Sequence, residues 1–343
     1  MYKIGIIGHF GIGKNLLNGQ TIKTKNLTEA LKDKFGASEV LIVDTHNIKK
    51  NGISIFKGII NLFKQCDNII MLPAHNGLKV FAPFLSNINR VYKRKLHYVV
   101  VGGWLAEDIK NNSILSSSLM KFDYIYVETK TMKTSLEDQG FSNIKIMPNF
   151  KKLEILTEKD MAYSVNEPYK ICTFSRVMKE KGIEDIVKAV EDINSKSNRT
   201  LFRLDIYGAV DKNQIEWFEE LKTRFPEYIC YKGMVPYDGS VQVLKDYYAL
   251  IFPTKFYTEG IPGTILDAYA AGVPVVASEW ESCNDIMFDG FTGLVYDFDS
   301  YEALKKSLKY IADNVELWNS LKANCTEEAE EYTAERIIDI MKF

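Results

Sequence analysis

The sequence predicts an α/β protein built from two doubly wound, Rossmann-like domains. Three observations predict it. Strand-length apolar runs alternate with helical patterns along the chain, the pattern of parallel sheets covered by helices on both faces. The runs fall into two series separated by a polar stretch with little periodicity. A length of 343 residues is long for a single core and suits two domains of ordinary size.

The first series of strands is expected near Lys3 to Gly8, Glu39 to Asp44, Asn68 to Leu72, His97 to Val101, Tyr124 to Val127 and Lys145 to Met147. The second covers Tyr169 to Phe174, Phe202 to Tyr207, Ile229 to Lys232, Leu250 to Phe252, Val273 to Ala277 and Gly293 to Val295. Between them lies Asn149-Phe150-Lys151-Lys152-Leu153 and a polar stretch to Pro168, which sets the domain boundary at residue 155. After Tyr296 the chain is helical, through Ser300 to Ala312, Glu316 to Glu331 and Ala334 to Met341. Two such domains joined end to end are expected to face a cleft between their sheet edges, where ligands of doubly wound folds bind.

Composition narrows the class. With 46% hydrophobic and 26% charged residues the chain reads as a globular protein. No apolar run approaches the roughly 18 to 20 residues of a spanning helix. Met1 to Gly8 leads directly into a strand, against a secretory signal, so a cytoplasmic protein is expected. Cys66, Cys172, Cys230, Cys283 and Cys325 are odd in number and scattered, which fits reduced thiols and no metal site. The net charge of −2 hides an asymmetry: residues 1–155 hold 22 basic and 12 acidic residues, the remainder 21 and 33. Both surfaces could simply be solvated. The functional reading is a basic first half that meets an anionic acceptor, such as a lipid diphosphate at an anionic membrane face, with Lys93-Arg94-Lys95 beside Tyr92 and Tyr98 as its densest patch. No nucleic-acid partner is expected.

The most telling segment runs from Thr258 to Ser278, TEGIPGTILDAYAAGVPVVAS. It reads as loop, helix, turn and strand, with Glu259 on the loop and Asp267 eight residues later on the helix. Gly272 stands where a helix end favours a left-handed residue, and Pro274 opens a buried strand. Gly260 and Gly263 keep the helix N-terminus clear of side chains, so backbone N–H groups and the positive end of the helix dipole can meet an anionic or sugar ligand. By spacing alone, an ordinary helix-strand unit fits equally well.

The segment resembles the E-x7-E signature of the retaining GT-B glycosyltransferases, especially family 4, with Asp267 in place of the second Glu. Ser175-Arg176-Val177-Met178-Lys179-Glu180-Lys181-Gly182 likewise resembles the family's G/S-R-x-x-x-x-K-G motif, which implies that Arg176 and Lys181 clamp the donor diphosphate. The physics agrees, because fixed cations stabilise the charge that builds on a departing diphosphate. The resemblance further implies that Glu259 and the N–H groups of Gly260, Ile261, Pro262-flanked Gly263 and Thr264 hold the sugar, that Asp267 accepts from the ribose, and that Tyr207-Gly208 and Met234-Val235 line the base. Turns that merely use glycine explain the last two pairs equally well.

Gly19-Gln20-Thr21-Ile22-Lys23-Thr24 resembles the loop by which the first domain of these enzymes approaches the donor, in the G-Q-T-x-K-T form of surface polysaccharide enzymes. Pro148-Asn149-Phe150 is similar to the end of that domain, and the last helix, from about residue 328, is implied to cross back onto it. The second domain is then 156–327. Many relatives place a His near the reacting sugar; Val101-Gly102-Gly103-Trp104 occupies that region here, and His97 is expected at the start of its strand.

The activity implied is transfer of a hexosyl or N-acetylhexosaminyl unit from a UDP-linked donor, with retention, to a glycan or lipid-linked acceptor in surface polysaccharide assembly, with neither cofactor nor metal. In these enzymes the leaving phosphate takes the acceptor's proton on the same face. Two rivals exist. Gly8 to Asn15 nearly matches a P-loop, with Leu41 to Asp44 as a Walker B strand, but Asn15 stands where the metal-binding hydroxyl belongs. A non-catalytic nucleotide- or sugar-binding protein of the same fold is opposed by the presence of Glu259, Arg176 and Lys181 together.

Overall fold

The structure is a computed structural model and describes residues 3–14, 19–164, 166–236 and 238–343. The chain divides into two compact units, 1–152 with 333–343, and 153–332.

Unit 1 holds a six-stranded parallel sheet of order β2-β1-β3-β4-β5-β6. Its strands are β1 (Ile4–Gly8), β2 (Val40–Asp44), β3 (Asn68–Met71), β4 (Lys95–Val99), β5 (Tyr124–Val127) and β6 (Ile144–Ile146). Its helices are α1 (Gly19–Phe35), α2 (Ile48–Gln65), α3 (His75–Tyr92), α4 (Leu105–Lys110), α5 (Ser113–Leu119) and α6 (Lys130–Glu137). β1 and β3 are buried at every residue because helices cover both faces of the sheet. α2 and α3 bury Ile55, Ile59, Phe63, Phe81 and Leu85 at helical spacing against one face.

Unit 2 holds a second parallel sheet of order β12-β11-β10-β7-β8-β9. The strands are β7 (Tyr169–Phe174), β8 (Phe202–Tyr207), β9 (Ile229–Gly233), β10 (Ala249–Phe252), β11 (Val275–Ser278) and β12 (Gly293–Tyr296). The helices are α7 (Ile183–Ser197), α8 (Ile215–Lys222), α9 (Ser240–Leu244), α10 (Gly263–Ala270), α11 (Tyr301–Asp313) and α12 (Val315–Ala329). The chain then enters unit 1 at Thr333, where α13 (Ala334–Ile338) packs Ile337 and Ile338 with Leu27 and Leu31 of α1.

Each expected strand has its counterpart among these twelve. β4 starts at Lys95, two residues earlier than expected, because Lys95 N–H already bonds Asp67 O at 3.0 Å. Gly272 ends α10 with φ 63°, as its position implied. Within the Lys93-Arg94-Lys95 run Lys93 and Lys95 are exposed, while Arg94 is drawn inward. Arg94 donates Nε to Phe63 O at 2.9 Å and approaches Asp67 at 3.3 Å, while Tyr98 is fully buried and donates to Pro73 O. All five cysteines are free thiols, and burial pushes Cys66 up to about 11 and Cys283 up to about 12, far from reactivity at neutral pH. Among the described residues no helix is long and apolar enough to cross a membrane.

Candidate active site

In unit 2 the chain runs outward from β7 to β8 and β9, then returns to β10, β11 and β12 on the other side, so strand order reverses between β7 and β10. Ligands of doubly wound folds bind outside the carboxyl edge at such a reversal. Both motifs lie on the loops that leave those two strands.

After β7, Ser175 N–H bonds Tyr207 O at 3.1 Å, and Lys179–Lys181 form one tight turn. Gly182 then caps α7 in a left-handed conformation, φ 68°. A Cβ there would stand 2.0 Å from the carbonyl oxygen of Pro253, so only glycine lets the two loops meet. Lys255 N–H bonds Glu180 O at 2.8 Å and locks the same contact.

This clamp sets Lys181 against Glu259, 78 positions apart, as an ion pair. Their side chains are only 13% and 21% exposed, so water screens the pair less than a surface one. The ammonium also lies 5.3 Å from the Phe252 ring centre and 5.0 Å from that of Phe256, and Thr254 Oγ1 donates to Glu259 at 3.2 Å. Arg176 is placed differently: 57% exposed, with its nearest anion Asp211 at 3.6 Å.

Behind Glu259, Gly260, Ile261 and Pro262 are buried, and α10 begins at Gly263 with no side chain capping it. Its first N–H groups therefore point outward without an intrahelical acceptor. Thr264 Oγ1 is shielded from solvent and has no hydrogen-bond partner. Asp267, on the second turn, is buried and already has a partner within the chain.

At β8 and β9 the geometry is tight. Gly208 has φ 132°, and a Cβ there would sit 1.7 Å from Ser175 O. The Tyr207 ring stacks on Phe174 at 5.2 Å, and its hydroxyl shares a 2.8 Å hydrogen bond with Tyr247, which donates to Asp205 at 2.6 Å. Burial, with those hydrogen bonds, pushes the Tyr247 hydroxyl far up, so it stays a donor. Met234 is exposed and Val235 half-buried just beyond β9.

Unit 1 departs from expectation in three places. Gly19 and Gln20 are not in a loop before the helix but open α1 itself, where Gln20 Nε2 donates to Leu72 O at 3.4 Å; Asn18 lies outside the described residues. The G-Q-T-x-K-T run is largely interior: Thr21 and Thr24 are fully buried, and Lys23 pairs with buried Glu128 and donates to Val100 O at 2.9 Å. His97 sits mid-strand between Asn68 and Tyr126, and burial pushes it down to about 4, a neutral core imidazole.

The rival P-loop reading loses its phosphate cradle. The Asp44 carboxylate itself accepts from Phe10 N–H at 3.0 Å, Ile12 N–H at 2.9 Å and His46 N–H at 2.9 Å. Burial works to raise its pKa, but these backbone donors outweigh it and hold the carboxyl below its ordinary range. Asn15 lies outside the described residues.

Sequence reasoning missed Asp211, Phe256, Tyr247, Glu128 and the anchoring role of Asp44. Apart from Asp44, which ends the Walker B-like strand, none sits in a motif; each owes its place to a contact with a residue far along the chain.

Two parallel six-stranded sheets with helices, each in its own Rossmann-like domain, match the GT-B class of glycosyltransferases. The family model of the glycosyl transferases group 1 matches residues 157–331, so the chain belongs to that family and is a glycosyltransferase. An uncharacterized glycosyltransferase of Methanocaldococcus jannaschii is 24% identical over 307 residues, covering 82% of this chain and 74% of its own. CapM, a capsular polysaccharide biosynthesis glycosyltransferase of Staphylococcus aureus, is 21% identical, covering 68% and 58%. Among solved structures, Anabaena HepE in complex with UDP is similar with a TM-score of 0.77 at 12% identity, covering 98% of this chain and 97% of that one. Sucrose-phosphate synthase of Thermosynechococcus elongatus follows with a TM-score of 0.74 at 14% identity, covering 98% and 96%.

Proposed function

We propose that this glycosyltransferase moves a hexosyl or N-acetylhexosaminyl unit from a UDP-linked donor, with retention, to a glycan or lipid-linked acceptor in surface polysaccharide assembly. The observation that carries it is the Lys181–Glu259 pair, clamped at the switch point beside the uncapped start of α10 and the unpartnered Thr264 hydroxyl. A cation, a carboxylate and free N–H groups converging at one sheet edge suit a ligand that carries both a diphosphate and sugar hydroxyls.

In this reading the donor diphosphate draws Lys181 away from Glu259, and the released carboxylate accepts from the sugar. Arg176, free enough to swing from Asp211, adds the second positive charge on the leaving group. Asp267 accepts from the ribose, while Tyr207, Gly208, Met234 and Val235 border the base. Because two side-chain cations neutralise the diphosphate, turnover is expected to survive EDTA. The UDP bound by HepE and the part of CapM in capsular polysaccharide biosynthesis support the donor and pathway chosen.

The test is thermal stability of the purified protein with UDP, GDP, ADP and ATP, each with and without Mg²⁺, followed by a UDP-sugar turnover screen. At 100 times its dissociation constant a ligand stabilises by about 2.7 kcal/mol, a readable shift. Stabilisation by UDP in the absence of metal supports the reading; stabilisation by ATP with Mg²⁺ alone overturns it.

A further inference from the structure

Two lysines on the loops beside β10 are held in opposite ways. Lys255 is bracketed by two carboxylates, Asp185 at 2.7 Å and Asp299 at 3.0 Å, so its charge is spent on the fold. Lys181 has one carboxylate, Glu259, and two aromatic rings, Phe252 and Phe256, at 5.3 and 5.0 Å from their centres. Both separations lie within the roughly 6 Å reach of cation–π attraction. Phe252 is buried, whereas Phe256 is partly exposed.

The outer ring is fixed from both sides. Lys255 N–H bonds Glu180 O at 2.8 Å and Glu281 N–H bonds Tyr257 O at 2.9 Å, which ties the residues flanking Phe256 to two other loops. Phe256 N–H itself donates to Thr254 Oγ1 at 3.2 Å, and the same hydroxyl donates to Glu259 at 3.2 Å. The Tyr257 ring meets Phe298 edge-on at 5.2 Å. A ring placed this firmly loses little freedom when a ligand arrives.

Rings and carboxylates hold an ammonium by different physics. A carboxylate cancels its charge, whereas a ring attracts it through a quadrupole and leaves the net charge available to an anion. We propose that Phe256 is a positioning residue for the diphosphate: with Phe252 it forms an aromatic cradle that keeps Lys181 in place, its charge intact, once Glu259 turns to the sugar. Phe256 acts through Lys181, and the proposal rests on the donor reading above.

The experiment is a double-mutant cycle on UDP affinity, measured by calorimetry on the full chain for the parent, Phe256→Leu, Lys181→Ala and the double variant. Leucine keeps apolar bulk and removes the quadrupole. Phe256→Leu should weaken UDP about five- to thirtyfold, the range of one partly desolvated cation–π contact, with a ligand-free melting temperature near that of the parent. In the Lys181→Ala background the same change should cost less than about twofold, because the ring then has no cation to hold. Phe256→Tyr, which restores a ring face, should bind UDP about as tightly as the parent; a role in packing alone would be filled by leucine as well. Unchanged affinity in Phe256→Leu, or an equal loss with and without Lys181, overturns the cradle while leaving the donor reading in place. A parent that binds no UDP removes the donor reading, and the cradle with it.

Discussion

Replacing Gly182 by Ala tests the clamp that brings Lys181 to Glu259, and Gly233 supplies its internal control. Both glycines are left-handed, with φ 68° and 78°. Any L-residue there costs about 1–2 kcal/mol in backbone conformation. Around Gly233 an added Cβ meets nothing within 4 Å, so Gly233→Ala should cost little beyond that. At Gly182 the same methyl would stand 2.0 Å from Pro253 O, a backbone atom that cannot rotate away. The loops must part by about 1 Å or more, straining or losing the Lys255 N–H to Glu180 O bond, which adds roughly another 1–2 kcal/mol. The total for Gly182→Ala is about 3 kcal/mol. Unit 2 comprises residues 153–332. For a domain of that size each kcal/mol moves the melting temperature by about 2–4 °C, so Gly182→Ala should melt roughly 6 °C or more below the parent and Gly233→Ala about half as far. Activity should separate the two further, because a displacement near 1 Å of a charged group can cost of order 10²-fold in turnover. Thermal melts and initial rates on the three proteins are sufficient. If the two variants melt together and turn over equally, the Gly182–Pro253 apposition does not hold the site.

The remaining predictions address charge. Arg176→Ala and Lys181→Ala should each lower turnover by of order 10² or more, and an active double variant removes their assignment to the leaving group. Glu259→Gln should damage sugar placement while UDP still stabilises the protein; loss of that stabilisation would move Glu259 to the nucleotide. Lys322 is buried, donates to Gly272 O at 3.1 Å, and burial pushes its pKa down to about 8. Below that pH the folded chain holds an unwelcome charge, worth of order 3 kcal/mol, and between about 8 and 10.5 the unfolded chain binds more protons, so stability rises with pH in that window. Lys322→Met should therefore melt higher than the parent at pH 7 and lose its advantage by pH 10; a gap that stays constant with pH refutes the buried charge.

Much of this protein was legible in its sequence. Apolar runs located the strands most plainly where helices cover both faces of a parallel sheet, as at β1, β3, β10 and β11, which are buried throughout, whereas β8 alternates. Gly272 and Gly208 marked turns because a left-handed backbone excludes other residues locally. The two loops bearing Arg176, Lys181 and Glu259 were identifiable through their resemblance to family motifs, because their spacing alone fits an ordinary helix-strand unit equally well.

Contact was not legible. Tertiary structure decided that Lys181 meets Glu259 while Arg176 turns to Asp211, that Lys23 of a motif becomes a buried partner of Glu128, and that Asp44 occupies the N–H groups of the loop that mimics a P-loop. The physical reason is range. Helix ends, turns and periodicity are set by residues within a few positions of one another, whereas an ion pair spans 78 or 105 positions and depends on where strand order reverses. Only the packed sheet brings such groups together, and only burial gives their charges enough strength to matter.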